Sequence, residues 1–312
     1  MVKNVVFMGT PDFAVGTLQG LIDCERYHVQ AVFTQPDKPK GRGKAVQMTP
    51  VKEVAVAAGI PVYQPMKIRE PEYFEILKEL NPDAIIVVAF GQIIPKSILE
   101  LPEHGCINVH ASLLPMYRGA APIQWAVING DKESGVTTMR MDEGLDTGDM
   151  IMKETVLLAE DETGGSLFDK LSTLGGELLI ETLIKIEAGD IHPEKQDDSQ
   201  AGEYARTLDK ALGKVDFTMS AAAIERLIRG LNPWPSAYTS YNGKTMKLWK
   251  AEIVSGGEGV PGQIIGIDKK SFTVQTGEGG LRIMELQMEG KKRMDAGAFL
   301  RGCQLSVGEM LG

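Results

Sequence analysis

The chain has 312 residues, 43% hydrophobic and 24% charged, with a formal net charge of −9, which is the make-up of an ordinary water-soluble protein large enough for two domains. No run approaches the ~18 apolar residues that a membrane-spanning helix requires. The three cysteines are few, far apart and odd in number, and the four histidines share no ligand spacing, so a disulfide framework and a structural zinc site are both disfavoured and no metal is expected.

The opening run, Val5 to Met8, is too brief for a signal sequence and leads into Gly9-Thr10-Pro11, so it reads as a first strand. Thr10 is placed to cap a helix with Pro11 at its first position. A second strand is predicted at Val29 to Thr34, followed by a polar, Gly/Pro-rich segment, Gln35 to Met48, expected to be a solvated, mobile loop. Helical patterns at Val51 to Ala58 and Glu72 to Leu80 flank Ala84 to Ala89, a continuous apolar run suited to a central strand covered on both faces. Cys106 to His110 and Gly135 to Met141 are further apolar runs. A strand near Met150 to Leu158 and a long helix near Gly165 to Ala188 follow. Such alternation predicts an α/β fold with a doubly wound, mostly parallel, Rossmann-like sheet.

Gly189 to Gly213 is polar and aperiodic and reads as an interdomain linker. Ile224 to Leu231 is a short helix. Five β-rich runs then recur at Ala237 to Tyr241, Met246 to Val254, Gly262 to Ile267, Phe272 to Thr276 and Leu281 to Gln287, with turn residues between them, as in a small OB-like barrel. The expected organisation is a catalytic domain over residues 1–189, a linker over 190–208 and a β-barrel domain over 209–312.

Chemistry concentrates between Asn108 and Met150. Asn108 and His110 are two apart in a strand and therefore project from one face. Asp146 follows the next apolar run, in a loop punctuated by Gly144 and Gly148. If the two strands are parallel, their carboxyl ends open onto one crevice, where ligands bind in open α/β sheets. A neutral donor, a titratable ring and an orienting carboxylate are the equipment for acyl or one-carbon transfer. Gly41-Arg42-Gly43-Lys44 lacks the spacing of a phosphate loop, and Gly9-Thr10-Pro11 lacks the glycines of a dinucleotide fingerprint, so nucleotide cofactors are disfavoured. Charge is unevenly spread: 13 Lys and Arg face 10 Asp and Glu from residue 214 onward, against 20 and 32 before it. Within the acidic part, Lys38, Lys40, Arg42 and Lys44 form a basic island. Local positive charge of this kind is what phosphate contacts need.

The segments GTPDFA (Gly9 to Ala14), TQPDKPKGRGK (Thr34 to Lys44), INVHASLLPMYRGAAPIQWA (Ile107 to Ala126), MDEGLDTGDM (Met141 to Met150) and LNPWPSAY (Leu231 to Tyr238) resemble those of the methionyl-tRNA formyltransferases, nearly end to end. The central block is shared by the wider group of enzymes that use 10-formyltetrahydrofolate, so it speaks to the donor. The acceptor rests on the basic Thr34 to Lys44 segment and on the region after Lys214. The resemblance implies Asn108, His110 and Asp146 as the catalytic trio. It also implies a folate site lined by Ser112, Leu113, Leu114 and Pro115, with the loops holding Phe90, Gly91, Gln92 and Ile93, and Asp142 and Gly144, as pterin walls. Initiator methionyl-tRNA is the implied partner, met by Lys38, Lys40, Arg42 and Lys44 and, on the barrel, by Lys247, Lys291 and Lys292. Arg42 is the leading contact. A monomeric cytoplasmic enzyme with no membrane partner is expected.

Overall fold

The computed structural model describes residues 3–40 and 45–312, in two compact units. Unit 1 holds residues up to Pro122, Ser134–Val156 and Phe168–Ala205, and unit 2 holds Ile123–Glu133, Leu157–Leu167 and Arg206–Gly312.

Unit 1 contains, in chain order, β1 (Asn4–Gly9), α1 (Asp12–Asp23), β2 (His28–Phe33), β3 (Lys38–Lys40), β4 (Ala45–Gln47), α2 (Pro50–Ala57), β5 (Val62–Tyr63), α3 (Pro71–Leu80), β6 (Ala84–Val88), α4 (Lys96–Leu99) and β7 (Cys106–His110). The helix α5 (Pro122–Asn129) follows and belongs, but for its first residue, to unit 2; β8 (Glu133–Arg140), β9 (Met150–Leu157) and, beyond its first turn, α6 (Gly164–Ala188) complete unit 1. The main sheet has the order β5-β2-β1-β6-β7-β8-β9. Pairing is parallel from β5 through β7, as the apolar runs imply, and all five residues of β6 are buried. Side chains from β1, β2, β6, α3 and α4, with Phe33, Ile68, Leu77 and Ile98, fill the core on one face. Each such buried aliphatic or aromatic side chain stabilises by roughly 1.5–3 kcal/mol.

Two local readings are corrected. Thr10 does not cap α1; its hydroxyl donates to the Phe90 carbonyl at 3.2 Å and accepts from the Gln35 N–H at 3.3 Å, which leaves Pro11 as a cap without a side-chain bond. The β7–β8 pair is antiparallel, Ile107 opposite Arg140 and His110 opposite Thr137, so no crevice is made from two parallel strand ends there. The helix start that follows the rule is α2, where Thr49 accepts from Lys52 N–H at 3.2 Å ahead of Pro50. Within the segment read as a loop, β3 and β4 pair as an antiparallel ladder, Lys38 opposite Gln47.

Unit 2 adds α7 (Ala221–Gly230), β10 (Ala237–Tyr241), β11 (Lys244–Val254), β12 (Ile264–Ile267), β13 (Phe272–Gln275), β14 (Gly280–Met288), β15 (Met294–Asp295) and α8 (Ala296–Gly302). Ser220 caps α7 by accepting from Ala223 N–H at 3.2 Å. The antiparallel sheet runs β10-β11-β14-β13-β12, with β15 on β14, around a core that includes Ile224, Ile228, Phe272, Ile283 and Leu286. Its two edges meet the chain's last residues. Ile264 N–H donates to Glu309 O, Leu311 N–H to Gly262 O and Gly312 N–H to Ser240 O, so one short strap bonds to the β12 side and to β10. These bonds occupy part of each edge of the antiparallel sheet and so blunt its free pairing groups.

Candidate active site

All three residues of the sequence trio belong to unit 1. A Cβ at Gly175 of α6 would stand 3.0 Å from Val109 Cγ1, so Val109 faces that helix and Asn108 and His110 face away from it. Both are buried polar residues. Asn108 sits in register between Val87 and Met139, and its Oδ1 is enclosed without a hydrogen-bond partner. An unpaired buried amide oxygen costs about 1–3 kcal/mol.

His110 Nε2 lies 3.0 Å from the Tyr117 carbonyl oxygen. A carbonyl only accepts, so Nε2 carries the hydrogen and Nδ1 is left to face Asp146, whose Oδ2 is 3.9 Å away. That is ion-pair distance and too long for a direct hydrogen bond. Asp146 arrives from the loop between β8 and β9 rather than from a neighbouring strand end. It stands at φ +57°, a left-handed conformation uncommon for aspartate, and its Oδ2 accepts from Gly119 N–H at 2.8 Å. Gly119 (φ +123°) has to be glycine, because a Cβ would stand 2.7 Å from the Tyr204 ring and the Ala205 carbonyl. At Gly148 a Cβ would fall on the Arg140 carbonyl oxygen. Partial burial, and then the nearby Asp146 carboxylate, push the Tyr204 phenol above its usual range.

The expected folate residues divide by what their side chains already do. Ser112 Oγ donates to Met116 O at 2.6 Å, and Leu114 packs with Met139 and Met150. Phe90 belongs to the core, while Gln92 is spent on Ile68 N–H and the Pro65 carbonyl. The backbone around Phe90 is positioned by its neighbours, Ala89 at φ +47° and Gly91 at φ +77°, and by Gln35 Nε2, which donates to Phe90 O and Gly91 O. Exposed apolar surface remains at Ile93 and Leu145, and Leu113 and Pro115 are half-buried. Asp142 is engaged with Gly144 N–H and the Thr147 hydroxyl. A cavity of about 570 Å³ opens beside Asp142 and Glu143 toward Lys96 and Glu100, and none of the trio lines it.

Arg42 and Lys44 lie outside the described residues, and Lys40 is described by its backbone alone, in β3. Lys38 is exposed and donates to Gln35 Oε1 at 3.0 Å. Behind it, Lys52 Nζ bonds Asp37 Oδ2 and Gln64 Oε1, both at 2.6 Å, and the Lys52 bond holds the Asp37 carboxyl below its usual range. In unit 2, Lys247 and Arg293 both lie over the Trp249 ring, 5.7 and 5.0 Å from its centroid, and Lys291 and Lys292 are exposed on the adjoining turn. Trp234 is exposed as well.

Sequence reasoning missed Gln196, Tyr204 and Gln35, and it left Arg118 open between an anchor joining loops and a ligand contact; its guanidinium bonds Gln196 and Asp198, the anchor reading. Gln196 and Tyr204 come from the stretch read as a linker, which belongs to unit 1 as far as Ala205. Its polar, aperiodic composition carries no signal of burial, because the buried contacts are made by single polar side chains.

The chain matches a formyl transferase model over residues 2–183 and a formyl transferase C-terminal domain model over residues 207–304. With the α/β sheet and its polar trio, these define the chain as a formyltransferase. Among curated relatives, methionyl-tRNA formyltransferase of Agathobacter rectalis is 60% identical over 98% of both chains, and that of Lachnospira eligens is 58% identical over 99% of both. The chain belongs to the methionyl-tRNA formyltransferase family. Among solved structures, an N-formyltransferase from Helicobacter canadensis, in complex with folinic acid and dTDP-3-aminofucose, superposes with a TM-score of 0.66 over 94% of this chain and all of that one. At 20% identity that likeness is one of fold.

Proposed function

We propose that this chain transfers the formyl group of 10-formyltetrahydrofolate to the α-amine of methionyl-initiator tRNA, giving N-formylmethionyl-tRNA. The observation that carries the reading is 60% identity, along the whole length, to a relative named for that reaction. The folate is a co-substrate, and the basic island that includes Lys38 and Lys40 favours tRNA over a sugar nucleotide as acceptor.

In this reading the neutral amine attacks the formyl carbon and the carbonyl electrons move onto oxygen. Asn108 donates an amide hydrogen to that oxyanion, an interaction worth roughly 2.7–4 kcal/mol. When the bond from carbon to N10 breaks, a proton has to leave the attacking nitrogen and reach N10. With Nε2–H committed to Tyr117, the Nδ1 side of His110 and the Asp146 carboxylate anchor a water chain that carries it. The pterin is held by backbone groups of residues 90–93, of Asp142 and Gly144, and of Ser112 to Pro115, with Ile93, Leu113 and Pro115 as apolar cover. Lys38, Lys40, Arg42 and Lys44 meet the acceptor stem, and Lys247, Lys291 and Lys292 meet the tRNA backbone. The catalytic trio thus lies in residues 1–189, residues 209–312 add tRNA contacts to those of Lys38 to Lys44, and residues 190–208 connect them, packing with unit 1 as far as Ala205. The enzyme works as a cytoplasmic monomer without a metal. Among the described residues no helix is long and apolar enough to cross a membrane.

The test gives the purified chain a labelled formyl donor with charged initiator tRNA and, separately, with a dTDP-amino sugar. Label on the methionyl amine supports the reading. Label on the sugar alone, or on neither, overturns it.

A further inference from the structure

Gln196 is a buried glutamine in a stretch whose sequence suggests nothing but a connection, and every polar group of its side chain is engaged. Nε2 donates to the carbonyl oxygens of Asp146 and Gly148, both at 2.8 Å, and Oε1 accepts from Arg118 Nε at 2.8 Å. The Arg118 guanidinium continues to Asp198 Oδ1 at 2.9 Å, and Ala205 N–H donates to the Arg118 carbonyl at 2.8 Å. The next residue, Gly119, gives its N–H to Asp146 Oδ2. Asp146 is therefore held at two places, by its own carbonyl and by its carboxylate, and both holds lead back to the Gln196–Arg118 pair. A left-handed aspartate persists only where its surroundings over-determine it, and here they do.

We propose that Gln196 is a positioning residue for Asp146. It fixes the backbone of residues 146–148 and, through Arg118, keeps Gly119 N–H against the carboxylate, so that Oδ2 stays aimed at His110 Nδ1. The proposal rests on the catalytic reading of Asp146 given above. The position calls for two donors and one acceptor on an uncharged, buried side chain, which glutamine supplies. A glutamate would set an anion against two carbonyl oxygens, and a methionine would keep the volume while removing every bond.

The experiment measures kcat and KM for Met-tRNA, the Kd for 10-formyltetrahydrofolate, and Tm, in the full-length chain. The variants are Gln196→Met, Asp146→Asn and the double variant, with Gln196→Glu as a second probe should the methionine fail to fold. Gln196→Met lowers kcat by about 10- to 100-fold, the scale of a small misplacement of a reacting group, with the folate Kd within about two-fold. In the Asp146→Asn background the same substitution costs no further factor beyond about two-fold, because the group it positions is already disabled. Equal fold losses in both backgrounds, or an unchanged kcat in Gln196→Met, overturn the proposal and leave the role of Asp146 standing. Full activity in Asp146→Asn alone overturns the catalytic reading, and the proposal with it.

Discussion

Replacing Asn108 with leucine separates the cost of the site from its use. The amide is flanked in register by apolar Val87 and Met139, and its Oδ1 is enclosed without a partner. Leucine has a similar volume and leaves no polar atom unpaired, so the substitution removes a desolvation penalty of about 1–3 kcal/mol and creates no cavity. Set against imperfect packing of a branched side chain, the net change is a gain of about 0–2 kcal/mol, or a Tm higher by up to several degrees at roughly 2–4 °C per kcal/mol. The same change deletes the proposed oxyanion donor, so kcat falls by about 10²–10³-fold. Differential scanning calorimetry reads the first quantity, and rapid-quench formylation of Met-tRNA reads the second. A variant that loses Tm and kcat together shows the amide to be a structural member of the sheet, and a kcat within about three-fold of the parent removes Asn108 from catalysis.

Arg42→Ala is expected to weaken use of Met-tRNA while sparing the Kd of the folate donor; equal losses in both contradict its assignment to tRNA. The Met-tRNA association constant falls linearly with salt on a log–log plot, by about 0.7–0.9 per phosphate neutralised, and a flat plot removes Lys247, Lys291 and Lys292 from the interface. Asp37 has its carboxyl lowered chiefly by the Lys52 bond, so the stability this pair adds is complete above the unfolded value near pH ~3.9 and fades as pH falls through the lower folded value. NMR titration of Asp37 in a Lys52→Met variant is expected to find its pKa moved up toward the unfolded value; no movement refutes the coupling. Burial pushes the Cys106 thiol up to about 12, so iodoacetamide at pH 8 labels partly exposed Cys24 and spares Cys106 in the native protein. Labelling of Cys106 at the rate of Cys24 contradicts the burial.

Much of the fold is legible because its signals are strong and local. Ala84 to Val88 is apolar throughout and lies in the middle of the sheet, and β10 falls where Ala237 to Tyr241 alternates. The antiparallel turn of β8 against β7 is not legible, since the run Gly135 to Met141 reads the same in either direction. Nor is the closing strap at 308–312, which works through backbone bonds that no side chain announces. Asn108 and His110 stood out because a spacing of two fixes their common face. Asp146 is marked by its glycine-rich loop and by family resemblance, but it reaches His110 from the loop after an antiparallel strand, a route that the sequence pattern does not encode. The parts of the site with no pattern at all, the Tyr117 carbonyl, the Gly119 N–H and the Gln196 amide, act as single hydrogen-bonding groups. Periodicity and composition carry no information about such groups.

The most direct test of the account is whether His110 and Asp146 act as one unit in formyl transfer. Single-turnover kinetics with labelled 10-formyltetrahydrofolate and charged initiator tRNA, on His110→Ala, Asp146→Asn and the double variant, measures that coupling. The account predicts a large loss in each single variant and a double variant about as slow as the slower single. Losses that multiply, or an Asp146→Asn variant that transfers formyl at the parent rate, contradict it.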